Sequence, residues 1–534
     1  MKSRRQLAIL GVFLIAGFVA FSNILNSYFL SDDFAQIGKV LNGDLSVVWG
    51  KAHGGFFRPL FILSYLIDST IWGARPFGFH LSNVLFHSLN AFLVFRLSLR
   101  LVEDLNLPEH TKRNISLAAG ALFLLHPSHT EAVAWISGRA DLFATFFCLA
   151  SLLFYLAYAR SRRTSQLVLS LFCFTLALLA KESAICLPLL IVVVGLLIGP
   201  ARKSGKSFRA SVFGCYFAIL LVFVAVRFAF IGSLVGGYGA SQHLNFSPAW
   251  LRDRLLEASV RSVLPALSSQ LSWFLFKPLQ SRVFILFSLA CAVLVAVTIV
   301  VRRRQNPSSD RKEQNRFLIA LVILLLFSLL PVINLRLSLY QTLGERFLYL
   351  PTVFSCLLMA YLAAILLRNQ MLWIPLLICV MVFYAVTLYQ TNQTWVEAAH
   401  LSRSITTELV DSATRDHLII LNAPDNLRGV PVFHNGLPEA LEYFQNRKRF
   451  QQVEIIAFQD LHSAMDEVAR TAPSGTLNIK LLIDHDGFTR VGPSECIETT
   501  SQSRISLELQ AKPCAADRDI YFFNKGQMIK LPDR

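Results

Sequence analysis

Runs of about twenty apolar residues recur along residues 1–390, and short basic clusters separate them. A helix rising 1.5 Å per residue needs about that many residues to cross a hydrocarbon core. Backbone inside lipid must satisfy its own N–H and C=O groups, which makes each such run a helix. Charged residues make up only 16% of the 534, against about 25% in soluble globular domains. The chain therefore reads as an α-helical polytopic membrane protein.

The basic clusters orient it. Lys2, Arg4 and Arg5 precede the run Leu7–Leu25, which assigns the N-terminus to the cytoplasm. That run is longer than a signal-peptide core and no small-residue cleavage site follows it, so it is expected to remain as a span. Further spans are expected at 79–101, 115–136, 138–159, 166–180, 183–199, 210–230, 282–301, 317–334, 346–367 and 371–390. Lys112 and Arg113, Arg160 to Arg163, Arg202 to Arg209, Arg302 to Arg316 and Arg368 then all fall inside. About eleven spans at this length leave the C-terminus outside. The net charge of +16 arises in these loops, a distribution that points to membrane orientation and away from nucleic acid. The stretch Phe56–Trp72, in the first outer loop, is too interrupted to count as a span.

Composition changes near residue 391. The tail 391–534 is polar, with short strands expected at His417–Leu421, Val453–Phe458, Leu477–Ile483, Ile505–Leu509 and Ile520–Phe523. Helical pieces are expected at Pro438–Phe444 and Ala464–Ala469. This is enough for one small extracytoplasmic α/β or α+β domain. Seven of the nine cysteines lie in apolar runs and read as small buried hydrophobes; Cys496 and Cys514 lie in the tail, where an oxidising compartment would let them pair.

The unusual polar residues gather near the outer ends of the spans. Ser31 can cap a helix starting at Asp32, which places Asp32 and Asp33 in its first turn, where the helix dipole favours charged carboxylates. Beyond capping, the pair suits a general base with a metal ligand beside it. His80, Asn83, His87 and Asn90 share one helix face, where interhelical hydrogen bonding is the plain reading. His126, His129 and Glu131 sit in one outer turn, able to bind a divalent cation or to donate to phosphate, or simply to form an interfacial belt with Trp135. Arg58, Arg139, Lys181 and Arg346 lie on the outer side against the positive-inside trend, which suggests that an anion is handled there. A structural ion pair with Glu345 is the other reading of Arg346.

Phe57–Leu60, Pro76–Asn83, the long block His126–Asp141, Lys181–Ser183 and Gly344–Pro351 together resemble the membrane domain of the transmembrane and tetratricopeptide-repeat O-mannosyltransferases and their bacterial relatives. The resemblance covers residues 1 to about 390. It implies a GT-C fold that takes a sugar from a polyprenyl phosphate or diphosphate on the non-cytoplasmic face. By analogy with protein O-mannosyltransferases, Asp32 takes the general-base position and Asp33 the second acidic one; the reverse assignment stays open. The tetratricopeptide repeats of the animal members are missing, and a different tail stands in their place. That points to a bacterial cytoplasmic-membrane relative with a periplasmic tail domain and a protein, lipid or polysaccharide acceptor.

The expectation is one inverting displacement. Asp32 serves as base, Arg346 and then Arg139 stabilise the departing phosphate, and His126 and His129 support them. Arg58, His80, Glu131 and Lys181 complete the expected binding set. A Mg or Mn ion on Asp33, His126, His129 or Glu131 is optional. The competing readings are a lipid-linked sugar flippase, which would spread polar residues through mid-membrane, and a non-catalytic envelope scaffold that would tolerate loss of Asp32.

Overall fold

The computed structural model describes residues 2–44, 48, 56–198, 206–232, 247–264, 309–335, 337, 342–443, 450–471, 478–483, 487–491, 494, 496–503, 505–511 and 518–531. The expected span 282–301, the start of the basic loop after it, and Cys514 lie outside these residues.

The membrane region is built from α1 (Lys2–Ala20), α2 (Asp32–Leu41), α3 (Pro59–Trp72), α4 (Pro76–Val102), α5 (Glu109–Leu125), α6 (Thr130–Ala134), α7 (Arg139–Ser161), α8 (Thr164–Ala180), α9 (Leu187–Leu197), α10 (Lys206–Ile231), α11 (Pro248–Arg261), α12 (Ser309–Leu329), α13 (Pro351–Leu367) and α14 (Gln370–Ser412). Among the described residues, five helices are long and apolar enough to cross a membrane, and four apolar ones are shorter. α3, with 14 residues, is one of the short ones, about 21 Å at 1.5 Å per residue. Proline sits in the first turn of α3, α4 and α13, where its missing N–H costs nothing. Arg162 and Arg368, both at expected cytoplasmic turns, end α7 and α13 with positive φ.

α14 is the main departure from the expected domain division. The compositional change near 391 is a change of surroundings along one continuous 43-residue helix, not a break. Its first half carries exposed apolar side chains such as Met371, Leu376 and Val382. Its second half is fixed to protein: Asn392 donates to the Ala20 carbonyl and Ser402 to that of Phe29. α11 likewise lies in what was expected to be a plain loop before residue 280.

Beyond α14 lies a β-rich unit. Its larger sheet runs β10-β9-β1-β3-β6, with β2 on the end of β1. These strands are β1 (His417–Leu427), β2 (Val430–Pro431), β3 (Gln452–Leu461), β6 (Gly487–Val491), β9 (Asp519–Asn524) and β10 (Gln527–Lys530). A four-stranded antiparallel sheet holds β4 (Val468–Thr471), β5 (Asn478–Ile483), β8 (Ser506–Ala511) and β7 (Ile497–Gln502). The five expected strands are all present. The helix expected at Ala464–Ala469 is instead a turn followed by β4, because the Asp466 carboxylate takes the backbone N–H groups of His462 and Ser463.

β1 pairs in parallel with β3, and such a pair needs a crossover. The crossover carries α15 (Leu437–Tyr443), which packs on α2 so closely that a Cβ on Gly38 would meet the Tyr443 ring. The approach to α15 passes through Gly436 at φ +91°, where a Cβ would collide with the Ser31 carbonyl. Phe34 and Phe433 stack across the same junction at 6.1 Å. The tail unit thus closes directly over the acidic turn. Replacing Gly436 by Ala adds left-handed strain of about 1–2 kcal/mol to that collision. We expect a lower melting temperature and faster protease cleavage of the tail; an unchanged melt and cleavage rate would show that this junction does not depend on the glycine.

Candidate active site

The two adjacent carboxylates have different surroundings. Asp33 is 2% exposed. Its Oδ1 accepts from the Ser137 amide at 2.8 Å and the Ser137 hydroxyl at 2.5 Å, and its Oδ2 accepts from the Leu30 amide at 3.1 Å. Asp32 is half-buried and accepts a 2.9 Å bond from the Asn435 side chain of the tail unit. Asp32 is therefore the more accessible acid of the pair, and Asp33 is the tie that holds the turn. Ser31 does not cap the helix with its side chain. Its φ of +49° turns its hydroxyl toward Asn435, whose backbone N–H it accepts, while its own N–H donates to the Val432 carbonyl.

The outer cations are each fixed by a carboxylate. Arg58 forms a fork on Glu182 at 2.9 and 2.5 Å. Lys181 meets Asp141 at 2.6 Å. Arg346 pairs with the fully buried Glu131, whose oxygens also accept the backbone N–H groups of Gly344 and Arg346. Its guanidinium lies 4.8 Å from the Trp135 ring centre. Glu345, the partner expected for Arg346 as the other reading, is taken by Arg261. Glu131 is thus the anchor of a cation.

Several expected binding residues are structural instead. Arg139 is fully buried: it bridges to Asp68 at 2.6 Å and donates to Asn83 at 2.7 Å and to the Phe79 carbonyl at 2.8 Å. His80 donates to the Ser27 carbonyl at 3.1 Å. His126 donates to the Ser262 carbonyl at 3.2 Å and accepts from the Ser128 amide. His129 lies 2.7 Å from the Thr352 hydroxyl. Asn83, His87 and Asn90 continue the same pattern: Asn83 donates to the Val133 and Trp135 carbonyls, and Tyr349 bonds to both His87 and Asn90. This is a polar seam between helices, where unsatisfied groups would be costly in lipid.

Four of the sequence candidates converge on a cavity of about 720 Å³ between the membrane helices and the tail unit. Asp32, Arg58, Lys181 and Arg346 line it, together with Asp141 and Trp135. Arg139, His80, His126, His129, Glu131 and Asp33 do not. The tail adds Asp425, Asn426, His434, Asn435 and Glu439. Nothing in the polar tail marked these residues beforehand; the Asn435-Gly436 pair signals only a turn.

The metal candidates do not assemble. Among the described residues, no three His, Cys, Asp or Glu side chains form a group that could hold an ion. Asp33 and Glu131 each take three backbone and side-chain donors.

Burial raises the Asp33 pKa to about 7, against the hydrogen bonds from Ser137 and Leu30, which lower it. A folded value above the unfolded one means that the folded state keeps the proton longer. The stability contributed by this group is full below about pH 4 and is lost as the pH rises to about 7. At 1.36 kcal/mol per unit the loss is about 4 kcal/mol. Asp33→Asn keeps an acceptor for Ser137 and removes the titration. We expect wild type to lose thermal stability relative to Asp33→Asn across that interval; parallel melting curves from pH 4 to 7 would overturn the assignment.

Residues 69–228 match the family described as dolichyl-phosphate-mannose-protein mannosyltransferase. The protein O-mannosyl-transferase Tmtc1 of Drosophila melanogaster is 36% identical over 225 residues, covering 38% of this chain and 25% of that protein. The protein O-mannosyl-transferase TMTC4 of Homo sapiens is 27% identical over 428 residues, covering 65% of this chain and 54% of that protein. A crystal structure of ArnT from Cupriavidus metallidurans bound to undecaprenyl phosphate aligns over 94% of this chain and 97% of that one, with 12% identity and a TM-score of 0.43. The chain spans between a quarter and about half of the length of these two O-mannosyl-transferases. The family match contains Lys181 and the His126–Asp141 block, but neither Asp32, Arg346 nor the tail. In its membrane region the chain resembles the protein O-mannosyl-transferases.

Proposed function

We propose that this protein is a GT-C-type membrane glycosyltransferase that moves a sugar from a polyprenyl-phosphate carrier to a hydroxyl acceptor on the non-cytoplasmic face. The observation that carries the reading is the cavity: residues far apart in the chain bring the half-buried carboxylate of Asp32 into the same space as Arg58, Lys181 and Arg346. The similarity to protein O-mannosyl-transferases supports the same chemistry. Orientation is supported by the helices themselves. α5, α7 and α13 each have one end at the site, while Lys112, Arg162 and Arg368 mark the other. Cys496 is disulfide-bonded, which fits an oxidising compartment for the tail.

In this mechanism the acceptor oxygen attacks the anomeric carbon as Asp32 takes its proton. The bond from that carbon to the carrier's phosphate oxygen breaks, and the electron pair leaves with the phosphate. A single displacement of this kind inverts the anomeric centre. Negative charge then grows on the phosphate oxygens, where Arg58, Lys181 and Arg346 stand. Because each of these cations is already paired with a buried or half-buried carboxylate, they need little reorganisation as the charge develops. The chain's own residues thus supply base and electrostatic stabilisation, with no step assigned to a metal.

The test uses membranes containing the full chain, radiolabelled polyprenyl-phosphate sugars and a cell-envelope extract as acceptor. Asp32→Asn should melt as wild type does and lose about 100- to 10,000-fold in transfer, the usual worth of a positioned base. Arg346→Gln should lose about 100- to 1,000-fold, as when one oxyanion donor is removed. An Asp32→Asn protein that transfers at the wild-type rate would return Asp32 to the role of a simple helix-start residue.

A further inference from the structure

The cavity has two chemically different walls. Its arginines and lysine, namely Arg58, Lys181 and Arg346, all come from the membrane region. Among the described lining residues the tail unit contributes no arginine or lysine; its polar groups are Asp425, Asn426, His434, Asn435 and Glu439. Asp425 is buried and its Oδ1 lies 3.0 Å from His434 Nδ1, while the His434 side chain is 56% exposed. Asp425 therefore orients the ring, fixing Nδ1–H toward itself, and Nε2 is the ring nitrogen on the opposite edge. The next residue, Asn435, holds Asp32. His434 and the proposed base are thus joined through two adjacent positions of one short segment.

Resting on the glycosyltransferase reading above, we propose that the tail wall is the acceptor subsite, built for a hydroxyl compound without negative charge, with His434 as its binding residue and Asn435 as the positioning residue for Asp32. The charge division carries the argument. A phosphate-bearing donor is stabilised among the three cations and repelled by Asp425 and Glu439; a neutral or cationic acceptor pays no such repulsion. Polar side chains of the Asp, Asn and His type offer the mixed donors and acceptors that a hydroxyl compound needs. The acceptor hydroxyl then lies beside Asp32, opposite the wall that receives the leaving phosphate, as an in-line displacement requires.

The experiment titrates donor and acceptor separately in the membrane assay, with wild type, His434→Ala and His434→Gln. The melting temperature is measured for each protein, because His434 is bonded to the buried Asp425. His434→Ala should raise the half-saturating amount of envelope extract at least tenfold and leave that of the labelled donor within twofold. His434→Gln, which keeps a hydrogen-bonding group, should recover at least half of the loss. Asn435→Ala should lower the maximal rate without moving either half-saturation point. Octyl β-glucoside should compete with the extract for wild type, and octyl β-glucuronide should not. The proposal is overturned by an effect of His434→Ala on the donor alone, by no effect on either substrate, by glucuronide competing as well as glucoside, or by neither competing. Wild type that transfers no labelled donor removes the glycosyltransferase reading and this proposal with it, whereas transfer with unchanged acceptor dependence removes only this proposal.

Discussion

The Asp33 carboxylate is the joint on which the site depends. One oxygen takes two donors from Ser137 at the start of α7, and the other takes the Leu30 amide from the loop after α1. It ties together segments more than a hundred residues apart, and by doing so it sets where Asp32 stands. The arrangement uses an acid in a buried position, which is expensive unless the group is well hydrogen-bonded or holds its proton. Both conditions are met here, by three donors and by the raised pKa. Asp33 fixes the turn, and Asp32 beside it faces the cavity.

The same division of labour runs through the membrane helices. Arg139, Asp68 and Asn83 form a buried cluster beneath the site, while Glu182, Asp141 and Glu131 pair with the three cations that reach it. A buried ion pair is weak support for net stability, but loss of one partner leaves an uncompensated charge. The paired charges are better understood as a rigid frame than as a source of folding energy. His80, His126 and His129 belong to that frame, since each is hydrogen-bonded within the bundle.

The sequence was informative where the physics is one-dimensional. Apolar run length marked, among the described residues, the five helices long enough to cross a membrane, and short apolar runs marked the strands around His417 and Ile520. Asp32, Arg58, Lys181 and Arg346, grouped by the same topology, line one cavity. What could not be read was which polar residue points inward. Glu131 and Arg139 occupy the same outer segment as the cavity residues, and only packing sends them beneath its floor. The tail's share was hidden for a related reason: Asp425, His434 and Asn435 acquire meaning only when the parallel crossover of β1 and β3 lays α15 on α2. The Ala464–Ala469 segment failed as a helix because a single side chain, Asp466, offered the backbone a better local partner.

The uninterrupted α14 has a mechanical implication. One rod of 43 residues, about 65 Å at 1.5 Å per residue, is both a membrane span and the mast of the tail unit. Its lower part takes its tilt from the bilayer, because a helix leans or straightens as the hydrocarbon layer thins or thickens. Its upper part is bonded to the first loop through Ser402 and to β10 through Glu408. The apolar part of the helix and the roof over Asp32 are therefore joined by one element, with no hinge loop between them.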